Sequence, residues 1–463
     1  STRVRSSAAS DVYKRQLFGR YSIILVASLI AGLSIRFALL PLSYEYDIYH
    51  WAMILQNINS GNGLYELNGY FYTPVWGYVL GAIDSFWNTF LSIDVFGMRI
   101  DELLSVENMA HMNHIATITT LEFNYALKIP LIIIDVIVGT IIYSVVKSLT
   151  NSGKKAEIGF ALWFLCPIAI YMSSVQGMFD NMVGLITLLS VLLVLKRYYF
   201  MGGIILMTGI LMKLYPGFAL SVIIALIYAR KKNSKDLLIN LGRLFAGGVC
   251  AFAVLMLPTM LDGTFWQAFT FITDRSGGFT GVGGIFWIIG LAISAAAMIF
   301  FTITMARSKG DNVDNNFLKY TMLALIGGII ANLGPQYPLV VLPLMCIYIV
   351  TIDRSYLICW LLIGTGCTLQ ALVLNNYSLL MSLASYTGLV SFDTIIWGLD
   401  WTEAYIIGTN SFRSIMNTVF SMIAFTGLIL AIIFHFQDVL NTKIPKIGKL
   451  IRKIRSIEII GGV

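Results

Sequence analysis

Seven polar side chains have the chemistry of a reactive site. They are two carboxylates, two amides and three cations: Asp47, Asp180, Gln176, Gln336, Lys128, Lys213 and Arg275. A partly desolvated carboxylate has a raised pKa and can take up a proton near neutral pH. A lysine offers an anion such as phosphate a point charge, and an arginine offers a bidentate fork. These residue types therefore suit proton abstraction beside a bound anion.

The composition places these side chains in a membrane protein. Of the 463 residues, 57% are hydrophobic and 12% are charged, which is about half the charged share of a soluble domain. The formal charge is +7, but the cations stand in short clusters between apolar runs, so they indicate membrane topology and no nucleic-acid partner. The five cysteines lie singly, without the spacing of a metal site or a disulfide framework.

The chain divides into three parts. Residues 1–16 differ in composition from the rest and are expected to be a non-native or disordered leader. Residues 17–436 carry the apolar runs and predict an all-α polytopic membrane domain. Residues 437–463 form a basic tail, which the positive-inside rule assigns to the cytoplasmic side.

The apolar runs predict 11 to 13 transmembrane helices. The predicted spans are 17–40, 127–146, 157–173, 178–195, 198–212, 216–229, 238–260, 283–305, 318–332, 337–352, 355–375 and 413–435. Residues 70–93 are an additional candidate. If they cross, either a segment within 95–125 crosses back or one segment is re-entrant or interfacial. Both solutions stay open.

Charge clusters divide the loops into two faces. In residues 41–127, nine acids stand against Arg99 alone, so this region is predicted to be mostly extracytoplasmic. The seven polar side chains fall in loops or at span ends on this face. Ionisable groups near the membrane are costly unless they meet protein, water or ligand, so their convergence indicates a site.

The first extracytoplasmic loop, about 41–70, contains an amphipathic segment. Apolar residues recur at helical spacing after Asp47, and the string SGNG ends the pattern. The pattern predicts an interfacial helix over 48–60. Asp47 can be the N-cap of this helix, either instead of acting as a base or in addition to it.

The string YEYDIYHWAMILQNINSGNGLYELNGYFYTPVWGYVL resembles the first extracytoplasmic loop of GT-C superfamily glycosyltransferases. The shared features are an aspartate after the first span, a helix ending in Gly then Tyr, and Tyr-x-Tyr-Thr-Pro. Further similar strings are LKIPLIIID, CPIAIYMSSVQGMFDNM, GILMKLYPG, DRSGGFTGVGGIFW and LGPQYPLVVLP. The resemblance covers about 40–345 and is nearest to the first GPI-anchor mannosyltransferase and its prokaryotic polyprenol-phosphate-mannose relatives.

This resemblance implies a GT-C-like helical bundle in the plasma membrane of a prokaryote, with its active face extracytoplasmic. The implied enzyme is a hexosyltransferase, inverting, that moves a hexose, with mannose favoured, from a polyprenyl-phosphate or dolichyl-phosphate donor to a lipid, glycan or protein acceptor. The implied general base is Asp47, and the implied ligands of the donor phosphate are Lys213, Arg275 and Lys128. The implied substrate contacts are Asp180, Gln176, Tyr72, Tyr215, Gln336 and Tyr337.

Several features stay open at this stage. The loop carries a single aspartate where close relatives have Asp-x-Asp, so no cofactor is assigned and the use of a divalent metal is open. The histidines lack partners at ligand spacing, and we assign no metal site. Besides the donor, the acceptor and membrane lipid, a small membrane subunit is an open partner.

Three other functions compete with sugar transfer. A secondary transporter should show paired broken helices in two repeated halves, and no such repeat is found in the sequence. A lipid-linked-sugar flippase would bind phosphate through Lys213 and Arg275 but would not need Asp47. A structural scaffold is disfavoured by the polar residues on one face.

Overall fold

The structure is a computed structural model. It describes residues 23–43, 45–66, 70, 72–91, 98–100, 117–269, 282–330, 334–374, 376–408 and 410–455. The expected leader and Arg275 lie outside the described residues.

Helices dominate the N-terminal half of the described chain. They are α1 (Ile23–Leu39), α2 (Glu45–Asn59), α3 (Pro74–Leu91), α4 (Leu121–Thr150), α5 (Gly153–Phe164), α6 (Pro167–Tyr171), α7 (Asp180–Leu195), α8 (Tyr199–Met212) and α9 (Leu220–Ala229). A π-helical turn, Met172–Gln176, continues α6, and a 3-10 turn, Tyr215–Ala219, leads into α9.

The C-terminal half is also helical. Its helices are α10 (Ser234–Leu261), α11 (Val282–Ala306), α12 (Val313–Ile329), α13 (Leu342–Thr351), α14 (Leu357–Leu374), α15 (Asn376–Thr387), α16 (Phe392–Ala404), α17 (Phe412–His435), α18 (Gln437–Lys443) and α19 (Pro445–Arg455). Short 3-10 turns lie at Gln267–Phe269, Gly310–Asn312, Tyr337–Val340 and Arg354–Tyr356.

Five helices in the described part of the chain are long and apolar enough to cross a membrane. They are Leu121–Thr150, Ser234–Leu261, Ile288–Ala306, Arg354–Leu374 and Phe412–His435. The pair Gly153–Phe164 and Pro167–Gln176, bent by 51°, makes a sixth if it is one broken span. The chain is therefore a helical, multi-pass membrane protein, as the composition indicates. Several other predicted spans are apolar helices of 10–17 residues, and the count of 11 to 13 stays a prediction.

Two small antiparallel sheets depart from the all-α prediction. Strand β1 (Met98–Ile100) pairs with β2 (Thr117–Thr119), and β3 (Ile406–Ile407) pairs with β4 (Asn410–Ser411). Strands of two or three residues are too short to show a period of two in the sequence. They lie between helices and leave the helical architecture unchanged.

Glycines bring α8 and α10 into backbone contact. A Cβ at Gly203 would lie 2.0 Å from the Leu244 carbonyl oxygen, and a Cβ at Gly247 would lie 2.0 Å from that of Phe200. Small residues are the usual means by which membrane helices approach this closely. The contact fixes α8, and the candidate-site residue Lys213 follows directly after its last residue.

Candidate functional site

Helix α2 begins at Glu45, which places Asp47 in its first turn. The alternative that Asp47 is the N-cap is therefore excluded, because the helix starts before the apolar periodicity becomes visible. The Asp47 carboxylate instead accepts a hydrogen bond of 2.8 Å from Gln176 Nε2. The helix predicted over 48–60 is present with shifted bounds, and its placement in the membrane interface stays a prediction.

The environment of Asp47 tunes its carboxylate toward proton exchange. Burial raises the pKa of Asp47 to about 6, although the hydrogen bond from Gln176 and the charge of Lys213 oppose this rise. The Gln176 amide is a donor toward this oxygen, so it stabilises the ionised form. Asp47 is thus ionised at neutral pH while remaining basic enough to take up a proton.

A break in the chain brings Gln176 to α2. Gln176 ends the π-helical turn, and Gly177 follows in the left-handed region with φ of +64°. A Cβ on Gly177 would lie 2.2 Å from Ile48 Cδ1, so both the backbone conformation and the contact with α2 favour glycine. The glycine therefore allows the close approach that joins Gln176 to Asp47.

A buried ion pair lies beside this carboxylate. Lys213 Nζ contacts Asp180 Oδ1 at 2.7 Å and Oδ2 at 2.8 Å. Asp180 is the first residue of α7, and Lys213 follows α8. The charges of both residues act on the Asp47 carboxyl, that of Lys213 lowering its pKa and that of Asp180 raising it. The structure thus gathers Asp47, Gln176, Asp180 and Lys213 in one cluster, which we call the acid–lysine cluster.

The Tyr-x-Tyr-Thr-Pro string helps to position Lys213. The Thr73 hydroxyl donates to the carbonyl oxygen of Leu211, in the last turn of α8. The Tyr70 hydroxyl donates to the Thr73 carbonyl at 2.8 Å and accepts from the Gly77 amide at 2.8 Å. These bonds join the start of α3 to the end of α8.

Aromatic rings line the acid–lysine cluster. Lys213 Nζ lies 4.8 Å from the ring centroid of Phe179 and 5.9 Å from that of Tyr337. The Tyr215 and Tyr337 centroids are 4.4 Å apart, and those of Tyr72 and Phe179 are 5.2 Å apart. Ring faces hold a cation by their quadrupole and offer flat apolar surfaces. Tyr72 and Tyr337 therefore border the cluster, and Tyr215 packs on Tyr337.

The other predicted site residues have different surroundings. Gln336 lies partly exposed immediately before Tyr337. Lys128 is fully buried, and its Nζ donates to the carbonyl oxygens of Leu40 at 3.0 Å and Leu42 at 2.8 Å. The lysine therefore ties α4 to the chain after α1, and we leave it out of the proposed phosphate contacts. Arg275 lies outside the described residues, so its phosphate role stays a prediction.

A second buried ion pair was missed by the sequence reasoning. Asp135 Oδ2 accepts from Arg36 Nε at 2.9 Å and from Ser173 Oγ at 2.7 Å, while Oδ1 accepts from Asn181 Nδ2 at 2.5 Å. Both ionic side chains are fully buried. We call these four residues the arginine cluster. The sequence did contain a signal for this pair, because Arg36 stands inside the first apolar run and Asp135 inside the second.

The carboxylates of the site do not form a metal-binding set in this arrangement. Both Asp180 oxygens contact Lys213, and one Asp47 oxygen accepts from Gln176. Among the described residues, no three His, Cys, Asp or Glu side chains group as ligands for an ion. We derive no step through a metal.

Comparisons with known proteins assign this chain to no family. No family model, curated protein or solved structure matches the chain. The resemblance to GT-C enzymes therefore rests on the sequence strings alone, and function is argued from the acid–lysine cluster.

Proposed function

We propose that this protein transfers a hexose, with mannose favoured by the sequence resemblance, from a polyprenyl-phosphate donor to an acceptor hydroxyl on the extracytoplasmic face. The supporting observation is the position of Asp47. Its desolvated carboxylate, with a pKa of about 6, is held by Gln176 beside the Lys213–Asp180 pair. A base and a fixed cation side by side are what transfer from a lipid phosphate requires.

In the proposed reaction, Asp47 takes the proton of the acceptor hydroxyl. The acceptor oxygen then forms a bond to the anomeric carbon, and the bond from that carbon to the phosphate oxygen breaks. The bonding electrons leave with the polyprenyl phosphate. Because the hydroxyl attacks the face opposite the leaving group, the anomeric configuration inverts.

Lys213 is the proposed contact for the departing phosphate. Its ammonium lies at the end of α8, where Asp180 and two aromatic rings fix its position. A preorganised cation in a site shielded from water stabilises developing negative charge more than a mobile one in solution. The phosphate would join or replace Asp180 at this ammonium, and Arg275 remains the second predicted cation.

The tyrosines are the proposed contacts of the sugar. Tyr72 and Tyr337 border the acid–lysine cluster, Tyr215 packs on Tyr337, and all three carry both a flat face and a hydroxyl. A hexose has apolar C–H faces and a rim of hydroxyls, so such rings can pack on it and hydrogen-bond to it.

The direct test is incubation of the purified protein with polyprenyl-phosphate mannose, other polyprenyl-phosphate hexoses and a panel of lipid, glycan and peptide acceptors. Released polyprenyl phosphate and glycosylated acceptor are measured together by mass spectrometry. We expect polyprenyl phosphate to be released only when an acceptor and one particular donor sugar are both present. The amount released should equal the amount of glycosylated acceptor.

Asp84→Asn is a matched control for variants at Asp47. Asp84 is a buried carboxylate on α3 that accepts a hydrogen bond of 2.6 Å from Asn88, so its contacts differ from those of Asp47.

Donor that reaches the opposite leaflet of a vesicle without release of polyprenyl phosphate would support a flippase instead. Absence of both release and movement with every donor would reject the proposal.

A further inference from the structure

The helix α19 presents a cationic face. Its sequence PKIGKLIRKIR contains five cations and no acid. Lys446, Lys449 and Arg452 are exposed, whereas Ile451 on the other side is 4% exposed. Residues three apart in a helix lie on neighbouring parts of one surface. We call Lys446, Lys449 and Arg452 the cationic face.

The opposite side of α19 is fastened to the protein. Arg455 donates to Asp353 and to Gln437, and its Nε donates to Ser355 Oγ at 3.0 Å. The Arg455 guanidinium also lies 5.5 Å from the ring centroid of Phe434. These contacts fix the rotation of the helix about its axis, so the cationic face has a set orientation.

A glycine contact fixes the other end of α19. A Cβ at Gly448 would lie 2.4 Å from Asn441 Oδ1 and 2.7 Å from Asn441 Cα. Only glycine allows α19 to approach α18 this closely. The two short helices therefore pack closely as one hairpin that carries the cationic face.

The contacts of this hairpin lie at the ends of two membrane spans. The span Phe412–His435 ends two residues before α18 begins, and the span Arg354–Leu374 begins beside Asp353. The α18–α19 hairpin is thus attached where both spans leave the apolar layer. A basic helix at this level is within reach of lipid headgroups.

We propose that the cationic face of α19 binds the phosphate groups of anionic phospholipids in the membrane that the protein spans. The partner follows from charge complementarity and from attachment at the span ends. Three exposed cations at helical spacing match a row of headgroups, and the apolar residue Ile451 is already packed on protein. This inference is independent of the proposed sugar transfer.

The test uses the full chain in a neutral detergent and measures binding of phosphatidylglycerol and phosphatidylcholine by native mass spectrometry. The variant is Lys446→Gln with Lys449→Gln and Arg452→Gln, which keeps good helix-forming residues. The control is Lys231→Gln with Lys232→Gln and Lys235→Gln, which removes the same charge from the basic loop before α10 and from the first turn of that helix. Thermal unfolding verifies that both variants fold.

We expect the wild type to prefer phosphatidylglycerol and the α19 variant to lose roughly five-fold in its affinity per removed cation. The control variant should retain most of this affinity. If both variants lose the same affinity for phosphatidylglycerol, the effect depends on net charge alone, and the proposal is overturned. Unchanged affinity in the α19 variant, or displacement of phosphatidylglycerol by millimolar inorganic phosphate, would overturn it as well.

Discussion

The two buried ion pairs found among the described residues join helices in different ways. In the arginine cluster, Arg36 also donates to the carbonyl oxygens of Gly32 at 3.2 Å and Phe164 at 2.7 Å, so the ion pair is enclosed by further hydrogen bonds. In the acid–lysine cluster, Lys213 contacts Asp180 and aromatic rings, and the residue as a whole is partly exposed.

This difference assigns a structural role to the arginine cluster and leaves ligand binding to the acid–lysine cluster. The arginine cluster fastens α1, α4, the π-helical turn and α7 through one carboxylate, Asp135. Two of its members are neighbours of site residues, since Asn181 follows Asp180 and Ser173 lies in the turn of Gln176. The Arg36–Asp135 pair holds these segments together, whereas the Lys213–Asp180 pair lies beside Asp47, where the donor phosphate is proposed to bind.

The largest expected effect is on stability, from Asp135→Ala. Removing one partner of a buried ion pair leaves an uncompensated charge on Arg36, which costs about 3–5 kcal/mol. We expect a large fall in the thermal unfolding temperature of the purified protein, with loss of bound donor as a consequence. Asp180→Ala should cost somewhat less, because the side chains of Lys213 and Asp180 are 8% and 4% exposed, whereas those of Arg36 and Asp135 are fully buried.

Arg36→Met combined with Asp135→Leu sharpens this comparison. Replacing both charges removes the unpaired one, so the double variant should lose less stability than the sum of the single variants. Equal destabilisation by Asp135→Ala and Asp180→Ala would show that the two pairs do the same structural work.

Next in size is the loss of donor use in Lys213→Ala. Removing a charge-assisted phosphate contact in a shielded site costs about 2–4 kcal/mol, on the order of 30- to 1,000-fold in kcat/KM. Lys154→Ala, at an exposed lysine at the start of α5, is the control and should be near wild type. Wild-type kinetics in Lys213→Ala would assign this lysine to packing alone.

Apolar runs made the helical, multi-pass character readable from the sequence, and apolar periodicity indicated the helix that contains Asp47. Charge clusters placed seven polar side chains on one face, and the structure brings four of them, Asp47, Gln176, Asp180 and Lys213, into one cluster. The side of the membrane alone, however, could not distinguish the structural environment of Lys128 from that of Lys213. The difference lies in partners, which are carbonyl oxygens for Lys128 and a carboxylate for Lys213.

Pairings between distant segments could not be read from one sequence. Arg36 and Asp135 are 99 residues apart and were not matched. The start of α2 was misplaced because its first turn contains few apolar residues, so periodicity gave no sign of the helix there. The close approach of Gly177 to Ile48 is likewise a tertiary contact between distant segments.

The third prediction concerns the base itself, through Asp47→Asn. Asparagine keeps the side-chain shape and an oxygen that can accept from Gln176, but it cannot take the acceptor proton. We expect folding and donor binding close to wild type with roughly 100-fold or greater loss of kcat. If Asp47→Asn keeps wild-type kcat, the base lies elsewhere, and Asp180 becomes the candidate to replace next.

The smallest effect is the most specific to the acid–lysine cluster, a shift of the pH profile. Asp47, whose pKa is raised to about 6, must be ionised to act as base, so kcat/KM, whose pH profile reports the free enzyme, should fall as the pH drops below about 6. The Gln176 hydrogen bond lowers the pKa of Asp47, so Gln176→Leu should move this acid limb to higher pH. The Asp180 charge raises the same pKa, so Asp180→Asn should move the limb to lower pH. Folding defects in the arginine cluster would reduce the rate at every pH. Opposite shifts from the two variants therefore report on Asp47 itself, and shifts in the same direction would show that another group titrates.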